Sequence, residues 1–192
     1  DYAAIADIHS IKRQIHDFRG HGEIAVAGHN IKLGRGGIRE IEFFVQTQQL
    51  IAGGRDPELR GTRTREMLEK LTEKGWIDEA IRAELDEAYV FLRMVEHRLQ
   101  MVRDEQTHLM PNDRDGLARI GRLMREATVE TFEARLRYAL ETVAKRYSRL
   151  FESAKELSTA DGSLVFTGGE DDPETLETIR QLGFAAPENV TE

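Results

Sequence analysis

Apolar residues return every three or four positions through most of this chain, and that rhythm leaves little room for anything but helices. The longest run is Ile81, Leu85, Ala88, Leu92, Val95, Leu99 and Val102. At about 100° per residue these side chains share one face. A second stripe takes Phe132, Leu136, Leu140, Val143, Tyr147, Leu150 and Phe151 in a helix expected from Val129 to Leu157. A third, Ile5, Ile8, Ile11, Ile15 and Phe18, ends at Gly20 and Gly22. Shorter helices are expected from Ile38 to about Ile51, stopped by Gly53-Gly54, from Thr64 to Lys74, closed by Gly75, and from Leu117 to Ala127. Asp78 is placed to cap the long helix and the run DEQTHLMPND to end it, because Pro111 cannot continue a helix. The fold class is therefore all-α, a helical bundle of about five to six helices with short connections between antiparallel neighbours. The runs EIAVA and NIKL tolerate β structure, so a small hairpin or an extended connection is open there.

A chain of 192 residues, 40% hydrophobic and 32% charged, can bury a substantial core as one large domain or a domain with an appendage. The division expected is a bundle over 1–157 and an acidic linker with a short helix over 158–192. Of the net charge of −8, eight acidic residues against one basic residue lie from Ser158 onward, which argues against general nucleic-acid binding. There is no cysteine, no apolar run long enough for a membrane span and no signal-peptide pattern, so the expectation is a cytoplasmic protein with no membrane partner. The chain opens on DYAAIADIHS, without methionine and in mid-pattern, and is expected to be a piece of something longer.

The stretch IKLGRGGIREIEF carries the clearest chemistry. Gly37, before the helix start at Ile38, is a poor cap, so first-turn amides are expected to stay free. Those amides, the helix dipole, Gly34, Gly36 and Gly37, and the charges of Lys32, Arg35 and Arg39 together describe a phosphate or nucleotide site. Against it stands the plainer reading: a glycine turn, solvated cations, and Glu40 reaching back as half a capping box. It is neither a Walker A loop nor a dinucleotide fingerprint. Glu42 and Gln46 are the expected supporting residues, Glu42 orienting Arg39 or Lys32, or else pairing with a buried arginine for structure. Phe43 and Leu50 lie opposite Ile38, Ile41 and Val45, so this helix is expected to be covered on two sides.

Other residues point to structure. The six histidines have no ligand spacing, so no metal site is expected. Trp76 reads as an anchor at a helix end. Arg93, Glu96 and His97 read as ion-pairing residues on the polar side of the long helix. Asp113-Arg114-Asp115 follows Pro111-Asn112 in a turn and reads as turn and cap, and Gly162-Ser163 lies in the acidic stretch.

The strings NIKLGRGGIREIEFFVQTQQLIAGGRDPELRG and AYVFLRMVEHRLQMVRDEQTHLMP closely resemble the bifunctional glutamine synthetase adenylyltransferase/adenylyl-removing enzyme family, in its N-terminal half. The resemblance covers about Ile5 to Leu157. It implies the helical domain that follows a polymerase-β-type nucleotidyltransferase domain. G-G-I-R-E-I-E-F resembles the adenylyl-removing half, where the other half tends to read G-G-x-V-D-I-E-F. That half removes AMP from a glutamine synthetase tyrosine by phosphorolysis, giving ADP, under control of the PII signal protein and glutamine. Implied cofactors are Mg²⁺ and ATP, ADP or phosphate; implied partners are glutamine synthetase, the PII protein and the adjacent nucleotidyltransferase domains. The family's catalytic Gly-Ser loop and D-x-D pair have no credible counterpart in this sequence, so catalytic residues are expected upstream and this chain alone inactive. The Asp104–Thr107 string is expected near the shared cleft. Two alternatives remain: a non-catalytic module docking glutamine synthetase or the PII protein, and the related PII-uridylyltransferase helical domain, whose string tends to read G-G-L-R-D-I.

Overall fold

The computed structural model describes residues 24–161, with the backbone alone for Arg103 and 150–161. The helices expected at 5–18 and after Asp172 lie outside the described residues, as does Gly162-Ser163. The chain divides into two compact units, Asp1–Ser148 and Arg149–Glu192, and the buried core among the described residues, from Ile24 to Ala144, belongs to the first.

Among the described residues there are five α-helices and no strand: α1 (Ile38–Ala52), α2 (Thr64–Glu73), α3 (Glu79–Arg103), α4 (Arg114–Leu123) and α5 (Val129–Asp161). The all-α expectation holds. A single 3₁₀ turn, Pro57–Leu59, sits between α1 and α2, capped by Asp56 Oδ1, which accepts from Glu58 N at 3.1 Å. Helix α2 stops where Gly75 turns left-handed (φ 73°). There Trp76 N donates to Leu71 O (2.8 Å) and Gly75 N to Thr72 O (2.9 Å), the paired bonds of a Schellman end.

Helices α1, α2 and α3 pack on one another and α4 packs on α3. Ile38, Ile41 and Val45 of α1, Leu68 and Leu71 of α2, and Leu85, Leu92, Val95 and Leu99 of α3 are all buried. Helix α5 adds Phe132, Leu136, Leu140 and Val143, each fully buried. Two further contacts hold α5: Phe132 lies over Gly121 of α4, and the Arg146 fork donates to both Glu84 oxygens at 2.7 and 2.8 Å.

Several local expectations are corrected. Asp78 sits at the cap position of α3 but its side chain makes no cap bond. Helix α3 ends where the run DEQTHLMPND was expected to end it, but at the run's first residue, Asp104, left-handed at φ 52°, rather than through Pro111. The following segment turns back to lie antiparallel to 28–31: Ile31 N donates to His108 O (3.0 Å), Met110 N to His29 O (2.8 Å) and Gly28 N to Pro111 O (3.2 Å). The start of NIKL thus pairs with HLMP rather than with EIAVA, through a single bridge at Asn30, and 31–33 form a turn. Helix α4 begins earlier than expected because Asp113 Oδ1 caps it through Gly116 N at 2.8 Å. Leu50 is 66% exposed, so of the two residues expected to cover the far side of α1 Phe43 does so, edge-on to Tyr147 at 5.9 Å, and Leu50 does not. Trp76 is 46% exposed and the buried anchor after α2 is its neighbour Ile77.

Candidate functional site

The loop before α1 satisfies its own backbone. Asn30 Oδ1 accepts from Lys32 N (3.1 Å) and Leu33 N (2.8 Å), and Asn30 O accepts from Gly34 N (2.7 Å). The chain then doubles back, so that Ile38 N and Arg39 N donate to the carbonyls of Ile31 and Lys32, each at 3.0 Å. Glu40 N donates to Gly37 O at 3.0 Å, and Glu40 Oε2 accepts from Gly36 N at 2.9 Å. The helix-start amides expected to be free are therefore engaged, because the loop's own carbonyls stand where a ligand would. Gly37 is the cap expected from sequence, extended and with no side-chain bond. The glycines serve close packing of protein on protein: Gly36, at φ 73°, presses on the Leu140 backbone of α5, and Gly34 and Gly37 face carbonyls of their own loop.

The side chains leaving this loop meet α3 in a ladder of alternating charge. Lys32 Nζ lies 3.3 Å from Glu96 Oε1. Arg93 Nη1 donates to Glu96 Oε2 at 2.7 Å and Arg93 Nη2 to Glu42 Oε1 at 3.2 Å. The other Glu42 oxygen accepts from Arg39 Nη1 at 3.0 Å. Tyr89 supports Arg93 with its hydroxyl (3.2 Å) and its ring, 5.3 Å from the guanidinium. His108 Nδ1 is buried 3.0 Å from Glu96 Oε1 without the alignment of a hydrogen bond.

Burial is graded along the ladder, from Glu96 (side chain 3% exposed) through Glu42 (14%), Lys32 (31%) and Arg93 (34%) to Arg39 (61%). Burial pushes the Glu96 carboxyl up, but Arg93 and Lys32 together outweigh it and hold the group below its ordinary value. Burial likewise pushes Arg93 down, and Glu96 and Tyr89 outweigh it, so its pKa is raised. Glu96 and Arg93 therefore both stay charged at neutral pH.

The structure thus brings Lys32, Arg39 and Glu42 together and separates Arg35 and Gln46 from them. The Arg35 side chain is exposed while its carbonyl accepts from His29 Nε2 at 3.0 Å, and Gln46 is exposed on α1. Glu42 takes both readings at once, pairing with an arginine of α3 and holding Arg39. Ion pairing of Arg93 with Glu96 is found as expected, but Glu96 is buried and only His97 faces solvent. The signal was in the spacing: Leu92, Val95, Glu96 and Leu99 fall on one helical stripe. Among the described residues no group of three or more His, Asp or Glu is placed to hold a metal ion. An open cleft of about 570 Å³ borders the ladder, lined by Glu42, Thr62, Arg63, Thr64, Tyr89 and Arg93 among others.

With this geometry in place, comparison with known proteins identifies the relatives. Over 190 residues the chain is 63% identical to the bifunctional glutamine synthetase adenylyltransferase/adenylyl-removing enzyme of Rhizobium meliloti (strain 1021), a match covering 99% of this chain and 19% of the relative. Proteins of the same name are 61% identical over 184 residues in Brucella melitensis (96% of this chain, 19% of the relative) and 53% over 187 in Xanthobacter autotrophicus (97% and 19%). The chain therefore spans 19% of the length of these relatives. The family described as GlnD PII-uridylyltransferase matches residues 9–154. On that match this chain is a member of the GlnD PII-uridylyltransferase family.

Proposed function

We propose that this chain is the helical domain of the adenylyl-removing half of a glutamine synthetase adenylyltransferase/adenylyl-removing enzyme, and that its ladder faces the cleft of an adjacent nucleotidyltransferase domain. The identity of 63% across 99% of the chain supports the enzyme over the uridylyltransferase that the family description names. The string G-G-I-R-E-I-E-F, at Gly36–Phe43, favours the adenylyl-removing half. Both strings of the resemblance meet in the fold, since NIKL pairs with HLMP.

One observation carries the site: Arg39 is 61% exposed yet fixed, because the carboxylate that holds it is itself held by Arg93. Phosphoryl transfer is accelerated by positive groups already in place when charge develops, since they need no reorganisation. Arg39 and Lys32 meet that requirement with their side chains, and the loop amides take no part. Phosphate, ADP or ATP would be gripped by these cations. Mg²⁺, which neutralises phosphoryl charge, finds no fitting cluster among the described residues and would be held by the adjacent domain's carboxylates. Glutamine synthetase would present the adenylylated tyrosine, with the PII protein as regulator.

In the full-length enzyme, Arg39→Ala is expected to slow phosphorolysis roughly ten- to a thousandfold, the scale of one lost transition-state contact, while adenylylation by the other half is spared. Unchanged phosphorolysis would leave the chain as a docking module for glutamine synthetase or the PII protein.

A further inference from the structure

We infer that Glu96 is a positioning residue for the phosphate-binding cation Lys32, acting from beneath it; this rests on the reading of the site given above. Glu96 is 2% exposed, on a stripe otherwise filled by Leu92, Val95 and Leu99. A carboxylate at such a place is costly to bury, and an apolar side chain there would pack at no such cost. Its two oxygens are divided between Lys32 Nζ (3.3 Å) and Arg93 Nη1 (2.7 Å). Lysine is a single charge on a four-carbon stem with high rotamer entropy, so a lysine that must meet phosphate in one place needs a fixed counter-charge. Glu96 supplies it from a rigid position in mid-helix, while 31% of the Lys32 side chain stays open to solvent.

The other groups facing Glu96 fit the same role. Arg93 saturates the second oxygen, so Glu96 cannot swing away from Lys32 without breaking a charge-assisted bond. His108 closes the remaining side at 3.0 Å, on the segment whose backbone is bonded to Ile31, the residue before Lys32. Helix α3, the loop and the 108–111 segment all fix the same pair. Arg39, by contrast, answers to Glu42.

The test is a double-mutant cycle in the full-length enzyme, reading KM for phosphate and kcat in deadenylylation together with the melting temperature. Glu96→Gln keeps the shape and removes the charge. It is expected to raise KM for phosphate about tenfold in the wild-type background, and by less than about twofold when Lys32 is already alanine. Glu96→Asp, which keeps the charge on a shorter arm, is expected to recover part of the loss and serves in its place if Glu96→Gln does not fold. An equal effect in both backgrounds, or a lower melting temperature with KM unchanged, shows a merely structural glutamate and overturns the inference. If Lys32→Ala alone leaves KM and kcat unchanged, the phosphate reading of the loop fails and the inference falls with it. If Lys32→Ala is impaired and Glu96→Gln is not, the inference alone is lost.

Discussion

Glu42 joins two arginines that are far apart in sequence, accepting from Arg39 Nη1 at 3.0 Å and from Arg93 Nη2, 51 positions away, at 3.2 Å. Removing it as Glu42→Ala takes the carboxylate from Arg39, which is mostly solvated, while Arg93 keeps Glu96 and Tyr89, so the stability loss should be modest, about 1–2 kcal/mol. The loss of deadenylylation should be the larger effect, because Arg39 loses its fixed direction. Thermal melting and the phosphorolysis rate, measured on one preparation, check the pair. A rate loss no greater than the fraction unfolded would make Glu42 a structural residue only.

Gly36 cannot become alanine without strain. Its φ of 73° disfavours any Cβ, and that Cβ would collide with the carbonyl of Leu140 on α5. Gly36→Ala is expected to cost roughly 2–4 kcal/mol, the sum of a left-handed backbone and overpacking. Denaturant unfolding measures it. Gly75, equally left-handed but with open space around its Cβ position, serves as the control and should lose only the backbone part, about 1–2 kcal/mol.

Phe132 tests how α5 is held. It is fully buried and lies over Gly121, where an added Cβ would sit 3.2 Å from the Phe132 Cβ. Phe132→Ala should cost about 3–5 kcal/mol. The Arg146 fork to Glu84, partly solvated at the Glu84 end, should be worth far less, on the order of 1 kcal/mol. If Arg146→Ala proved the more damaging in equilibrium unfolding, packing would not be what fastens this helix.

Acid should unfold the chain in two stages. Burial pushes the His29 imidazole below its ordinary 6.5, and its bond to the Arg35 carbonyl opposes this only in part. Glu96 is held below its ordinary 4.5, as Arg93 and Lys32 outweigh its burial. Both folded values are depressed, so the unfolded chain binds protons more readily and acid favours it. The His29 contribution is complete above 6.5 and disappears as pH falls through the folded value. The Glu96 contribution is complete above 4.5 and disappears lower still. Denaturant midpoints across pH should fall first below 6.5 and again below 4.5, with His29→Gln removing the first stage.

The helices were legible because their apolar stripes are long and local: α1 and α2 end within a residue of the expected positions, at Ala52 and Glu73. The stop of α3 was legible as the run DEQTHLMPND but not in its cause, since Pro111 is the evident stop signal there and the left-handed turn at Asp104 accompanies the chain's return to pair with 28–31. In the site, Lys32, Arg39 and Glu42 were visible as a charged cluster on one loop and one helix turn. Arg93 and His108 were not, because helix spacing says nothing of which distant helix lies opposite. By its charge Glu96 belongs on the polar side of α3, yet its position in the stripe of Leu92, Val95 and Leu99 puts it inside, and position prevails because Lys32 and Arg93 supply the counter-charge. The amides follow a similar logic: a poor cap at Gly37 does not reveal that carbonyls of the same loop will return to fill the gap.

The loop bearing Lys32 closes its own turn, but it is seated on chain that comes later. Residues 28–31, which lead into it, bond to 108–111, Gly36 rests on Leu140, and Arg137 donates at 2.8 Å to the carbonyl of Ile24, 113 positions earlier. Contacts so distant in sequence are slow to form, as the intervening chain must first be brought to order. On the ribosome, this segment emerges early and waits until α5 has been made before it can take its shape. Its cations therefore reach their working arrangement last, so an incompletely synthesised chain carries the motif without the site.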